Sequence, residues 1–185
     1  MGSQFPHDTR SDEALIAALN RGDASAFDAI YYRYRDWAVR LAHRFTQNEA
    51  DALDVLQETF AYLFRKFPGF ILTARMTTFL YPVVKNLSIA ARRKRERQIS
   101  DETAPDPVAP TVASDPAQIR SELALVMAAL PEAQREVLLM RFVDEMSLAE
   151  IGEALGIPEG TVKSRMHNAL ATLKADARAR RYFEK

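Results

Sequence analysis

The residue types best suited to reading nucleic acid are concentrated between Ser147 and Leu173, SLAEIGEALGIPEGTVKSRMHNALATL. Ser147 and Glu150 have the spacing of a capping box, in which each side chain satisfies an orphan amide at a helix start. Leu148, Ile151 and Leu155 follow at helical spacing along one face. Gly156 is suited to ending that helix, because a left-handed backbone costs glycine little, and Pro158 stands where the next helix can begin. In the second helix Val162, Met166, Ala169, Leu170 and Leu173 form an apolar stripe. Ser164, His167, Asn168 and Ala171 point the opposite way, with Lys163 and Arg165 on the flanks. This is the layout of a helix-turn-helix whose second helix docks in a DNA major groove. Arginine and lysine can pair with guanine edges or phosphates, asparagine can bridge adenine, and Thr161 is placed for a phosphate near the helix start. His167 has two readings, a base contact or a bystander at the groove edge. Helix pairs joined by glycine also occur in domains that never touch DNA. The small-residue spacing of Gly152, Gly156 and Gly160 imitates a membrane motif, but Glu153 and Glu159 exclude a lipid setting.

Elements must position those residues, and composition bounds what they can be. The chain has 185 residues, enough for one large or two small domains, and 48% of them are hydrophobic. Its 25 basic and 25 acidic residues cancel, so net charge alone gives DNA binding no support. The signs are separated, however. Arg92, Arg93, Lys94, Arg95 and Arg97 form one basic run, and Lys174, Arg178, Arg180 and Arg181 another. Acids gather at Glu49, Asp51, Asp54 and Glu58, and again at Asp101, Glu102, Asp106 and Asp115. Such separation suits a protein that meets both nucleic acid and a protein partner. Without cysteine, disulfides and thiolate metal sites are excluded. No apolar run approaches the roughly 18 residues of a membrane helix, and no secretory pattern opens the chain, so no membrane insertion and a cytoplasmic location are expected.

The expected fold class is all-α, with two small helical domains joined by a flexible linker. Leu15, Ile16 and Leu19 mark a first helix, closed by the Asn20-Arg21-Gly22 turn. Phe27, Ile30, Tyr31, Tyr34, Trp37, Ala38, Leu41 and Phe45 mark a long second helix, whose aromatics read as core. A third is expected from about Asp51 to Phe67, stopped by Pro68-Gly69. Its inner face is Leu56, Phe60, Leu63 and Phe67, and its outer face Asp54, Gln57, Glu58, Ala61 and Arg65. A fourth begins near Thr77 or Thr78 and runs through Val83, Val84 and Leu87 into the basic run. Ser100 to Pro116 mixes prolines with acids and small residues and reads as an extended linker. Helix resumes from Ile119 to Ala129, and Pro131 opens another carrying Val137, Leu138 and Phe142. The domain bounds are 10–97, 98–117 for the linker, and 118–181.

These blocks resemble bacterial RNA polymerase sigma factors of the extracytoplasmic-function class. Leu130 to Leu173 follows the family pattern almost throughout, and RGDASAFDAIYYRY (Arg21 to Tyr34) and DVLQETFAYLFRKF (Asp54 to Phe67) match its first helical blocks. The resemblance implies a sigma-2-like bundle and a sigma-4-like helix-turn-helix domain. It implies that Asp54, Gln57 and Glu58 face the clamp coiled coil of the polymerase beta-prime subunit, with the beta flap as a further core contact. By the same resemblance, Thr77 to Arg97 melts and reads the −10 promoter element. Phe79, Tyr81, Lys85, Asn86, Arg92 and Arg93 would supply stacking surfaces and a cationic track there. Thr161, Lys163, Ser164, Arg165, His167 and Asn168 would read the −35 element. The chain departs from the family at Phe79, commonly tryptophan, at Pro82 inside the usual helix, and at Ala90, a frequent aspartate. His167 and Asn168 replace an aromatic and an arginine of some relatives. The acidic linker would run through the polymerase, and an anti-sigma partner would mask the two domains.

No phosphate-cradling glycine loop, metal-ligand spacing or nucleophile elbow is present, so no enzyme, no cofactor and no metal are expected. Two rivals stay open: a helix-turn-helix regulator that binds duplex DNA on its own, and a helical interaction module without salt-dependent DNA affinity.

Overall fold

The computed structural model describes residues 8–101 and 125–176, all of whose regular structure is helical. The chain divides into two compact units, Met1–Ala104 and Pro105–Lys185. The expected linker from 102 onward, the start of the helix expected from Ile119, and Arg178, Arg180 and Arg181 lie outside the described residues.

The first unit holds α1 (Asp12–Asn20), α2 (Ser25–Thr46), α3 (Glu49–Phe64) and α4 (Met76–Asp101). Side-chain caps set the starts of α1 and α3. The Ser11 hydroxyl accepts from the Ala14 amide, with Asp12 and Glu13 in the first turn complementing the helix dipole. Asn48 caps α3 in the same way, its Oδ1 accepting from the Asp51 amide at 2.9 Å. α2 ends at Gln47, which takes the left-handed conformation that closes many helices. Leu15, Ile30, Leu41, Phe60, Leu63, Met76, Leu80, Tyr81 and Val84 fill the core. Ala26, Ala38, Ala42 and Ala52 are buried beside them, and their small side chains let the helices approach closely. The start of α1 is tied to α2. Arg33 donates to the carbonyls of Asp8 and Arg10 and pairs with Asp12, which also accepts from the Tyr34 hydroxyl. Burial, reinforced by Asp12, pushes the Tyr34 hydroxyl well above its ordinary pKa. The Arg10 guanidinium, hydrogen-bonded to Asp8, holds that carboxyl at about 2.

Three boundaries differ from the sequence reading. α3 ends at Phe64 rather than Phe67. Pro68 disfavours a helical conformation for the residue before it, so the chain leaves α3 through tight turns. Phe67 therefore packs from the connecting segment, against Phe70 at 5.5 Å. α4 starts at Met76 and passes straight through Pro82, its seventh residue, leaving the Thr78 carbonyl without the amide it would normally accept from. It also runs past Arg97 to Asp101, since no proline or glycine stops it there.

The second unit holds α5 (Glu132–Phe142), α6 (Leu148–Leu155) and α7 (Glu159–Ala175), preceded by a helical segment at 125–129. Val126, Leu130, Leu138, Ala169 and Leu173 form a buried cluster, with Met127, Met166 and Leu170 packed against it. Val137, Met140, Met146, Ile151 and Val162 are buried as well. Phe142, expected among the apolar positions of α5, is exposed at the helix end.

Candidate nucleic-acid interface

In the second unit the capping box forms as expected. The Glu150 amide donates to Ser147 Oγ at 3.2 Å, and the Ser147 amide donates to Glu150 Oε2 at 2.7 Å. Gly156 then adopts φ +65° and Pro158 caps α7. Gly152 was legible only as a small residue, but it sets how tightly the two helices meet. A Cβ there would lie 2.9 Å from the Ile157 carbonyl oxygen, and the Ile157 amide donates to the Gly152 carbonyl. A side chain at this position would push the turn apart, so α6 and α7 need glycine at 152.

That turn presents α7 with its apolar side inward and a polar strip outward. Ser164, His167 and Asn168 are exposed along the strip, Lys163 is exposed on one flank, and Thr161 and Arg165 are half-buried on the other. The Ser164 hydroxyl donates to the Gly160 carbonyl, which leaves its lone pairs facing outward as acceptors. Lys163 is not an isolated cation, because its Nζ lies 2.8 Å from Glu159 one turn earlier. The signal for this pair was in the sequence as Glu and Lys four residues apart.

In the first unit α4 divides the expected −10 residues between faces. At 3.6 residues per turn, Phe79, Asn86, Ala90, Arg93 and Arg97 fall within about 60° of one another. Asn86, Ala90, Arg93 and Arg97 are exposed, and Phe79 is half-buried at the start of the stripe. Lys85 and Arg92 lie on a different side, and Arg92 pairs with Glu96 at 3.4 Å. Tyr81 does not take the stacking role expected of it. It is only 2% exposed and packs edge-to-face on Phe45, so it offers no ring face to a base. Its helical phase points into the bundle, a geometry that residue type alone concealed. Arg95 also leaves the cationic track, because it pairs with Asp51 and donates to the Thr46 carbonyl at 2.8 Å.

The rings around Phe79 were not legible in the sequence. Tyr62 stacks on it at 6.4 Å with planes 25° apart, and Phe70 tilts against it at 4.9 Å. Lys66 lies over the Tyr62 ring at 4.7 Å. Only the aromatic density of 62–79 hinted at this cluster. On the outer side of α3, Asp54, Gln57 and Glu58 are exposed. Asp54 and Glu58 line a cleft of about 330 Å³ whose other wall, on α4, carries Lys94, Arg95 and Gln98. Gln57 is not part of it.

The described residues hold no group of histidine, aspartate and glutamate arranged for a metal ion. None of their helices is long and apolar enough to cross a membrane.

These two helical units correspond to two known families. Residues 30–98 match Sigma-70 region 2, and residues 126–175 match Sigma-70, region 4. The chain is 32% identical to the ECF RNA polymerase sigma factor SigM of Mycobacterium tuberculosis, over 89% of this chain and 83% of that protein. It is 29% identical to the ECF RNA polymerase sigma factor SigW of Bacillus subtilis, over 88% and 95% respectively. The chain belongs to the extracytoplasmic-function RNA polymerase sigma factors. Both of these relatives are named as sigma factors. The fold is also that of the sigma factor RpoE of Bartonella quintana, solved with the anti-sigma factor NepR, at a TM-score of 0.61 and 21% identity over 82% of this chain and 96% of that one.

Proposed function

We propose that this protein joins core RNA polymerase and uses its two units for separate promoter tasks. The first unit holds the polymerase clamp and opens the −10 element, and the second docks on the duplex −35 element. The observation that carries this reading is the pairing, in one chain, of an outward α4 stripe from Phe79 to Arg97 with the capped α6–α7 helix pair. Phe79 and Asn86 supply a ring and an amide for unpaired bases, and Arg93 and Arg97 continue the stripe as cations for the backbone. Lys85 and Arg92 act from the side of the same helix. On α7, Lys163, Ser164, Arg165, His167 and Asn168 face the groove, with Thr161 at a phosphate. Asp54, Gln57 and Glu58 meet a basic surface of the beta-prime clamp, and the second unit meets the beta flap. Work on a cytoplasmic polymerase places the protein in the cytoplasm. By analogy with the relative solved with an anti-sigma factor, a partner of that kind would hold it inactive.

Run-off transcription with purified core polymerase on genomic fragments tests this assignment. Addition of the protein should yield promoter-specific transcripts. Arg165→Ala and Asn168→Ala should each reduce them about 5- to 100-fold, the loss of one base contact, without changing core affinity. Charge reversal at Asp54 and Glu58 should instead weaken core association in a titration of labelled protein. Unchanged core affinity in that double variant would remove the clamp assignment.

A further inference from the structure

The segment between α3 and α4 carries Phe70, the ring that buttresses Phe79, yet it has little to hold it. Gly69 has φ +98°, Pro68 and Gly69 are exposed, and Ile71 is 77% exposed. Its anchor comes from far away in sequence. Asn20, the last residue of α1, is half-buried and directs its side-chain amide at this backbone. Its Oδ1 accepts from the Gly69 amide at 2.7 Å and from the Phe70 amide at 3.2 Å, while its Nδ2 donates to the Phe70 carbonyl at 2.8 Å. Both backbone groups of Phe70 are thereby fixed by one side chain. The ring of Phe70 then lies 4.9 Å from Phe79, which stacks on Tyr62.

We infer that Asn20 is a positioning residue for promoter opening: it fixes the 69–70 backbone so that Phe70 holds Phe79 in the orientation that receives an unpaired base. This rests on the −10 role proposed above for Phe79. The chemistry explains the residue type. The site needs an acceptor and a donor on one short planar group, which asparagine supplies and aspartate supplies only in part. A ring that must stack on an incoming base gains from being held in place beforehand, because ordering it on binding would cost free energy.

The test uses holoenzyme assembled from core polymerase and full-length protein on a promoter fragment recovered by run-off transcription. 2-Aminopurine replaces the base that becomes unpaired in the −10 element, and its fluorescence reports opening. Asn20→Ala should slow opening about tenfold, the effect of losing hydrogen bonds at one anchor, with core affinity unchanged. Asn20→Asp, which keeps both amide acceptor contacts, should recover part of that loss and covers the case in which the alanine variant folds poorly. In a Phe79→Ala background, Asn20→Ala should add nothing, since both changes act through one ring. Wild-type opening by Asn20→Ala alongside slow opening by Phe79→Ala would overturn the inference and leave the −10 reading intact. A full additional loss in the double variant would also overturn it, by showing that Asn20 acts independently of Phe79. Wild-type opening by Phe79→Ala would overturn the −10 role and this inference with it.

Discussion

Two aromatic residues two positions apart on α4 have opposite fates, and helical phase decides which. Phe79 begins the outward stripe, whereas Tyr81 is rotated about 200° from it and enters the core against Phe45. Tyr81→Ala should therefore cost about 3–5 kcal/mol, as for other large buried aromatics. Phe79→Ala should cost less because Phe79 is half-buried. Urea unfolding of the two variants checks this, and equal costs would contradict the division. Residue type made both look like stacking platforms beside a basic run. The helix begins at Met76 and passes through Pro82, so its phase holds from Phe79 through the basic run and sets the two rings on opposite sides. Arg95 was hidden for a related reason. Within a run of five cations, nothing local marks the one that reaches Asp51 and the Thr46 carbonyl.

At the scale of elements, the helix-turn-helix was the most legible part, since its signals are local. Ser147 with Glu150, then Gly156 and Pro158, specify a cap, a left-handed residue and a restart within twelve positions, and each is found where expected. The connection from α3 to α4 was not legible, because its order depends on Asn20, some fifty residues earlier. The polar strip of α7, proposed above to face DNA, also carries an internal competitor. Glu159 is exposed and holds Lys163 at 2.8 Å, so a phosphate must displace a carboxylate to gain that cation. The pair adds little stability at such exposure. Glu159→Gln should instead show in DNA binding. Duplex affinity of the free protein should rise, and the slope of log affinity against log salt should steepen by up to about one unit. Anisotropy titrations across salt concentrations measure both, and an unchanged slope would mean that Lys163 makes no phosphate contact.

On the scale of the whole molecule, the zero net charge fits a protein whose DNA affinity is completed by a partner. Acid on the outer side of α3 and cations along α4 sit in one unit, and α7, the helix proposed to face the groove, sits in the other. That separation of signs was visible in the sequence, as was the division into two helical units. A self-sufficient regulator would need to secure its duplex site unaided. A sigma factor needs only to orient a polymerase that brings its own DNA contacts. Footprinting on a promoter recovered by run-off transcription, with and without core polymerase, separates these most directly. The sigma-factor role predicts protection of both the −35 and −10 elements only when protein and core are both present. Protection of the −35 duplex by the protein alone, at the same concentrations and unchanged by core, would contradict it.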